Sequence, residues 1–322
     1  MGFSLPDHWV WDFWIADDGD AYHLFFLHAP KSLGHPDLRH RNARIGHATS
    51  ADLKTWTYHG QAFPAGEPGA FDGTATWTGS VVRGPDGLWR MYYTGSRFLS
   101  PDTNANIETV GMLTSPDLFA WTKLPGPIST ADPRWYETLG TSSWPEEAWR
   151  DPWVYPDPDG KTWHMLITAR ANSGDVMQRG VVGHATSADM EHWEAQPPLS
   201  LPVYDFAHLE VLQIVAIGAE TYAIFSCDTP RLSGHLAGQM GGIWWMRAQG
   251  PTGRFDIGNA RLLAPQDLYA GRLVEDRAGQ WHLMAFDNRM VDGDFVGAIV
   301  DPIPLVVDPV TGDLSLQPRK AA

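Results

Sequence analysis

Three carboxylates in this chain of 322 residues stand where a sequence seldom places acids. Asp12 lies in "VWDFW", Asp151 in "WRDPW" and Glu210 in "HLEVL", each flanked by apolar or aromatic residues. An unpaired acid in such surroundings is costly to ionise, and its pKa rises through burial and through like-charge neighbours. That cost is tolerated where chemistry requires it. Carboxylates that converge among aromatic rings suit glycoside chemistry. One protonates the leaving oxygen, a second attacks the anomeric carbon or activates water, and a third steadies the oxocarbenium-like centre. Each acid also has a plainer reading. Asp12 caps a turn, Asp151 shapes a bulge ahead of Pro152, and Glu210 pairs with an arginine.

The elements that must position these acids are legible as a repeat. "GHATSADLKTWTYHG" from Gly46 returns as "GMLTSPDLFAWTKLPG" from Gly111 and "GHATSADMEHWEAQ" from Gly183, with Trp56, Trp121 and Trp193 in one slot. An aromatic-rich strand after a turn precedes each copy, and two more such strands follow. Taking Tyr22, Trp89, Trp163, Tyr222 and Trp281 as markers, the intervals are 67, 74, 59 and 59 residues. Five units of short strands bounded by Asp-Gly, Pro-Asp and Gly-Pro turns predict an all-β fold. We expect a five-bladed β-propeller with four-stranded blades, as a single catalytic domain over residues 1–322. Residues that recur in phase build such a fold, so the three tryptophans are expected between blades, and His47 and His184 are expected to be structural.

Counting back ten to twelve residues from the markers reaches Asp12, Thr78, Asp151, Glu210 and Gly271 on the strands that line the channel. Three of five equivalent positions thus carry an acid. His208, two residues before Glu210, faces the same side on a regular strand. Tyr269 and Arg272 lie on the fifth inner strand and are candidate substrate contacts. Asp72 in "FDGT" reads as a turn residue.

Composition narrows the partners. A net charge of −15 repels phosphate backbones and anionic lipid, so neither nucleic acid nor membrane is an expected partner. The single cysteine, Cys227, excludes an internal disulfide and reads as a buried structural thiol. No spacing demands a metal, and no cofactor is expected. The N-terminus "MGFSLPDHWVWDFW" lacks a signal-peptide pattern, so a cytoplasmic location is expected. No interface segment is apparent, and oligomeric state stays open.

At these residues the chain resembles the five-bladed propeller glycosidases, in particular glycoside hydrolase families 32 and 68. "VWDFW" resembles the W-D-S-W segment of family 68, "WTGS" at Trp77 the W-S-G-S segment of blade two, and "WRDP" at Trp149 the R-D-P motif of both. The resemblance runs through the chain in blade order. It implies a retaining β-fructofuranosidase or fructosyltransferase with Asp12 as nucleophile, Asp151 as transition-state stabiliser and Glu210 as acid/base. It also implies substrate contacts from Trp11, Trp77, Thr78 and Arg150. The chain departs from family 32 in lacking N-D-P-N-G around the nucleophile, and Val211 stands where Cys usually follows the glutamate. The competing readings are an inverting pentosidase like family 43 and a non-catalytic sugar-sensing propeller. Since acid and nucleophile must differ in protonation, Glu210 is expected to hold the higher pKa.

Overall fold

A computed structural model describes residues 2–202 and 205–317. Five sheets form the propeller, each built on four strands in chain order from the axis outward, and in blade 2 a fifth short strand, Glu146–Glu147, pairs parallel to the third. Blade 1 comprises His8–Asp17, Tyr22–Pro30, Arg44–Ser50 and Thr57–Gln61. Blade 2 comprises Ala75–Arg83, Trp89–Phe98, Asn106–Ser115 and Thr122–Lys123. Blade 3 comprises Trp149–Pro156, Trp163–Arg170, Gly180–Ser187 and Glu194–Gln196. Glu210–Ile217, Glu220–Cys227, Gly242–Ala248 and Arg261–Pro265 make blade 4. Leu268–Glu275, Trp281–Asp287, Ile303–Val307 and Leu314–Leu316 make blade 5. No described helix is long and apolar enough to cross a membrane.

A blade is buried on both faces by its neighbours, so its second strand reads as an unbroken buried run, as in "YHLFFLHA". Apolar clusters fill the seams. The repeated tryptophans lie in them as expected. Trp121 meets Phe25 of blade 1, Trp193 meets Tyr92 of blade 2, and Trp56 meets Phe3 near blade 5. The repeat itself encodes a turn: Ser50, Ser115 and Ser187 each donate to the aspartate two residues on, which accepts the backbone amides two and three residues beyond itself. Leu53, Leu118 and Met190 follow in left-handed backbone. His47 and His184 are structural too. Each stacks on a histidine of the second strand, with His23 Nδ1 2.9 Å from His47 Nε2 and His164 Nδ1 3.0 Å from His184 Nε2. Asp72 is buried, accepting from Tyr93 Oη at 2.7 Å and Lys123 Nζ at 2.6 Å.

Two features close the ring. The backbone of Phe3 exchanges hydrogen bonds with Ile299 at 2.7 and 2.9 Å, joining the start of the chain to blade 5. On the axis, the buried guanidinium of Arg272 donates to the carbonyl of Leu212 at 2.8 Å, with those of Val211, Phe13 and Gly79 at 3.4–3.5 Å.

Candidate active site

The first strand of every blade breaks register at one level. The last paired residues before the break are Trp11, Trp77, Arg150, Glu210 and Tyr269. The bulge residues that follow are Asp12, Thr78, Asp151, Val211 and Ala270. Bulges of this kind re-aim side chains. Asp151, Val211 and Ala270 have φ of 58°, 55° and 48°. A β-branched residue there is strained by on the order of 1–3 kcal/mol, which only an over-determined setting sustains. The Val211 amide is so held, 3.2 Å from both Asp151 Oδ2 and Thr168 Oγ1.

This corrects the expected phase. Asp12, Thr78 and Asp151 are equivalent, but Glu210 is one residue early and shares its slot with Arg150 and Tyr269. The pre-bulge residue pairs with the fifth residue past the marker in four blades (Leu27, Thr94, Thr168, Phe286) and the fourth in blade 4 (Ser226). Tyr222 is thus a displaced marker. Gly271 is likewise not the equivalent of Asp12: Ala270 is, and a side chain at Gly271 would meet Ile243 and Leu283 inside the seam.

The three acids nonetheless converge on one cavity of about 550 Å³. Trp11, Trp77, Thr78, Arg150, His208 and Tyr269 line it with them, whereas Arg272 does not. Arg272 lies beneath the floor with its guanidinium over the Trp153 ring at 4.9 Å, so its role is to close the axis.

Polar contacts fix the acids. Thr78 Oγ1 donates to Asp12 Oδ2 at 2.5 Å. Thr168 Oγ1 lies 2.8 Å from Asp151 Oδ2, and Thr94 Oγ1 accepts from the Asp151 amide at 2.9 Å. Glu210 accepts from Arg150 Nη2 at 2.8 Å and Tyr269 Oη at 2.6 Å, and His208 Nε2 stands 3.3 Å away. Arg150 also reaches Glu108 at 2.9 Å and Glu146 at 3.3 Å, with Asp151 at 3.6 Å. The plainer readings of Asp151 as a bulge residue and Glu210 as an arginine partner therefore both hold. Pairing does not seal the site, because 21% of the Glu210 side chain remains exposed to the cavity.

Electrostatics separate the acids, in the order opposite to that expected. Burial and the neighbouring Asp151 charge raise Asp12 to about 7, against the pull of Thr78. Burial pushes Glu210 up as well, but His208, Arg150 and Tyr269 outweigh it and hold the carboxyl at about 2. Asp151 is raised by burial despite Arg150. Burial drives Glu108 well above the usual carboxylate range.

Sequence reasoning missed part of the wall. The short helix Pro36–Asn42, between the second and third strands of blade 1, brings Arg39 and His40 to the cavity. Trp77 Nε1 donates to the His40 carbonyl at 2.7 Å, and Arg39 lies over the rings of Phe295 and Trp11. Glu146 in "WPEEAW" lines the cavity too, while Glu108 in "NIETV" is buried behind it on Arg150; neither has an apolar neighbour on both sides to mark it.

Comparisons agree with this geometry. The model of the glycosyl hydrolases family 32 N-terminal domain matches residues 14–290. A fructan 6-exohydrolase of Beta vulgaris is 28% identical over 202 residues, 59% of this chain and 29% of that one. An extracellular sucrase of Zymomonas mobilis is 24% identical over 350 residues, covering 94% of this chain and 81% of that one. The inulosucrase from Halalkalicoccus jeotgali, solved bound to kestose, superposes with a TM-score of 0.80 at 22% identity over 97% of this chain and 87% of that one.

Proposed function

The chain belongs to glycosyl hydrolase family 32, and we propose that it cleaves or transfers β-fructofuranosyl groups of sucrose, fructo-oligosaccharides or fructans. The observation that carries this reading is the convergence of Asp12, Asp151 and Glu210 on one cavity. Asp12 attacks the anomeric carbon while Glu210 gives its proton to the departing glycosidic oxygen, leaving an ester between Asp12 and the fructosyl group. Glu210 then takes the proton of an incoming water or sugar hydroxyl, whose oxygen attacks the same carbon and frees Asp12. Asp151, held by Thr168 and the Val211 amide, binds ring hydroxyls and supports the positive charge of the transition state.

The resting protonation has a consequence. With Asp12 near 7 and Glu210 near 2, the proton of the singly protonated pair resides mainly on Asp12. The reactive form carries it on Glu210 instead, at the same net charge. Turnover therefore runs through the minor tautomer of the pair.

Proton NMR of sucrose, inulin and levan digests, beside arabinan and xylan, tests the reading. Release of β-fructofuranose first, or growth of fructosyl oligomers, is expected, with both lost in Asp12→Asn and Glu210→Gln. Pentose released first as the inverted anomer would overturn it in favour of an inverting pentosidase, and no turnover would favour a sensing propeller. The Zymomonas relative is named extracellular. A cytoplasmic location is part of the proposed reading, and cell fractionation tests it.

A further inference from the structure

Beside Glu210 lies a set of polar atoms that take no part in the proposed proton transfers and bond changes. His208 is 5% exposed, and neither ring nitrogen makes a hydrogen bond. Asp228 Oδ1 is also buried without a hydrogen-bond partner. Cys227, fully buried, brings its sulfur to 3.9 Å from the Asp228 carbonyl, and burial pushes the thiol well above its usual range. One ligand atom from each of these residues lies within 4.8 Å of the other two, and His208 Nε2 is 3.6 Å from Asp228 Oδ1.

Those spacings suit a metal. Ligands about 2.0–2.3 Å from a tetrahedral zinc stand roughly 3.3–3.8 Å apart, so small side-chain rotations complete the shell. Imidazole, thiolate and carboxylate together favour zinc-class cations, whereas magnesium and calcium take oxygen ligands. The fourth donor is at hand, since Glu210 Oε2 is 3.3 Å from His208 Nε2. Solvent reaches the set through the cavity, which His208, Asp228 and Glu210 line. Sequence spacing gave no sign of it, because the residues come from a loop and from the end of the neighbouring strand.

We propose that His208, Cys227 and Asp228 form a binding site for a soft divalent cation of the zinc class, and that its occupancy draws in Glu210 and stops turnover. The cation forms a bond to sulfur as the thiol proton leaves to solvent, with no change of oxidation state. The binding site is independent of the proposed activity; the loss of turnover rests on the role of Glu210 in it.

X-ray absorption of the zinc-loaded full chain should show one sulfur neighbour at about 2.3 Å. Cobalt(II) should give a thiolate charge-transfer band at one equivalent. Zinc should reduce turnover at least tenfold, reversibly with EDTA. Cys227→Ser should keep the zinc-free turnover, lose the band and bind zinc at least tenfold more weakly. A shell of nitrogen and oxygen alone, or equal zinc affinity in Cys227→Ser, overturns the site. Zinc bound through Cys227 with unchanged turnover overturns the inhibition. The absorption measurements need no variant, so a Cys227→Ser chain that fails to fold does not blunt them. A failed activity reading shows separately, as zinc-free protein that turns over no fructoside.

Discussion

Arg150 and Glu210 occupy the same slot on adjacent inner strands and meet there, Nη2 to Oε1, at 2.8 Å. The blade geometry that aims one of them into the cavity therefore aims the other beside it, and Tyr269 in the same slot of blade 5 closes on Glu210 from the opposite flank. The proposed acid/base is thus held between two neighbours that keep it ionised in the resting state.

Loss of Arg150 leaves Glu108, Glu146 and Glu210 without their shared cation. Breaking a buried pair from one side costs about 3–5 kcal/mol. Arg150→Gln should lose that much stability in urea titration, and Arg150→Lys less. An unchanged midpoint in Arg150→Gln would show the network to be energetically idle.

The activity profile should follow the two coupled carboxyls. The productive pair carries one proton, so kcat/KM should be level between about 2 and about 7 and fall on either side. The Thr78 hydroxyl lowers the Asp12 pKa, so Thr78→Val should move the alkaline limb to higher pH. A limb that stays in place means that another group sets it.

Asp12 should weaken the fold that holds it. Its folded pKa of about 7 lies above the value of a free aspartate, so the folded state binds the extra proton, and stability is lost as pH rises through 7. Asp12→Asn should raise stability at pH 8 by on the order of 2 kcal/mol, while turnover falls at least a thousandfold. Thermal melts of the two proteins at pH 5 and pH 8 separate the effects: the gain should shrink at pH 5.

The paired histidines should act in the opposite sense. Burial, then the neighbouring histidine, depresses His47 to about 3 and His184 to about 4. An unfolded histidine takes its proton near 6.5, so the unfolded state gains protons first as pH falls. Stability from these rings is complete above that value and should decline by about 2 kcal/mol per ring by pH 5. Replacing His47 with Gln should flatten this decline in urea titrations across pH 5–8.

Much of this fold was legible because its repeats are local. Each Ser-x-Asp turn and each aromatic second strand is written in contiguous residues, so blade number and order followed directly from the sequence. The acids were found by their apolar company, and Trp11, Trp77, Thr78, Arg150, His208 and Tyr269 do reach the cavity. What escaped depends on register and on distant neighbours. The shift of Tyr222 against its bulge is invisible until the strands pair. Arg272 satisfies carbonyls of three other blades, and His208, Cys227 and Asp228 meet only in space. The pKa order escaped in part for the same reason: beside the local His208, Arg150 and Tyr269 reach Glu210 across blades.

The bridge between Phe3 and Ile299 ties residues nearly a full chain length apart. On a ribosome, Phe3 must wait for almost the last blade before its backbone meets Ile299. Until then the finished blades stand as an arc open between blades 1 and 5, and closing it is a late event of high contact order. Four finished blades are thus an arc rather than a smaller propeller, and cutting the chain between Phe3 and blade 1 reopens the circle.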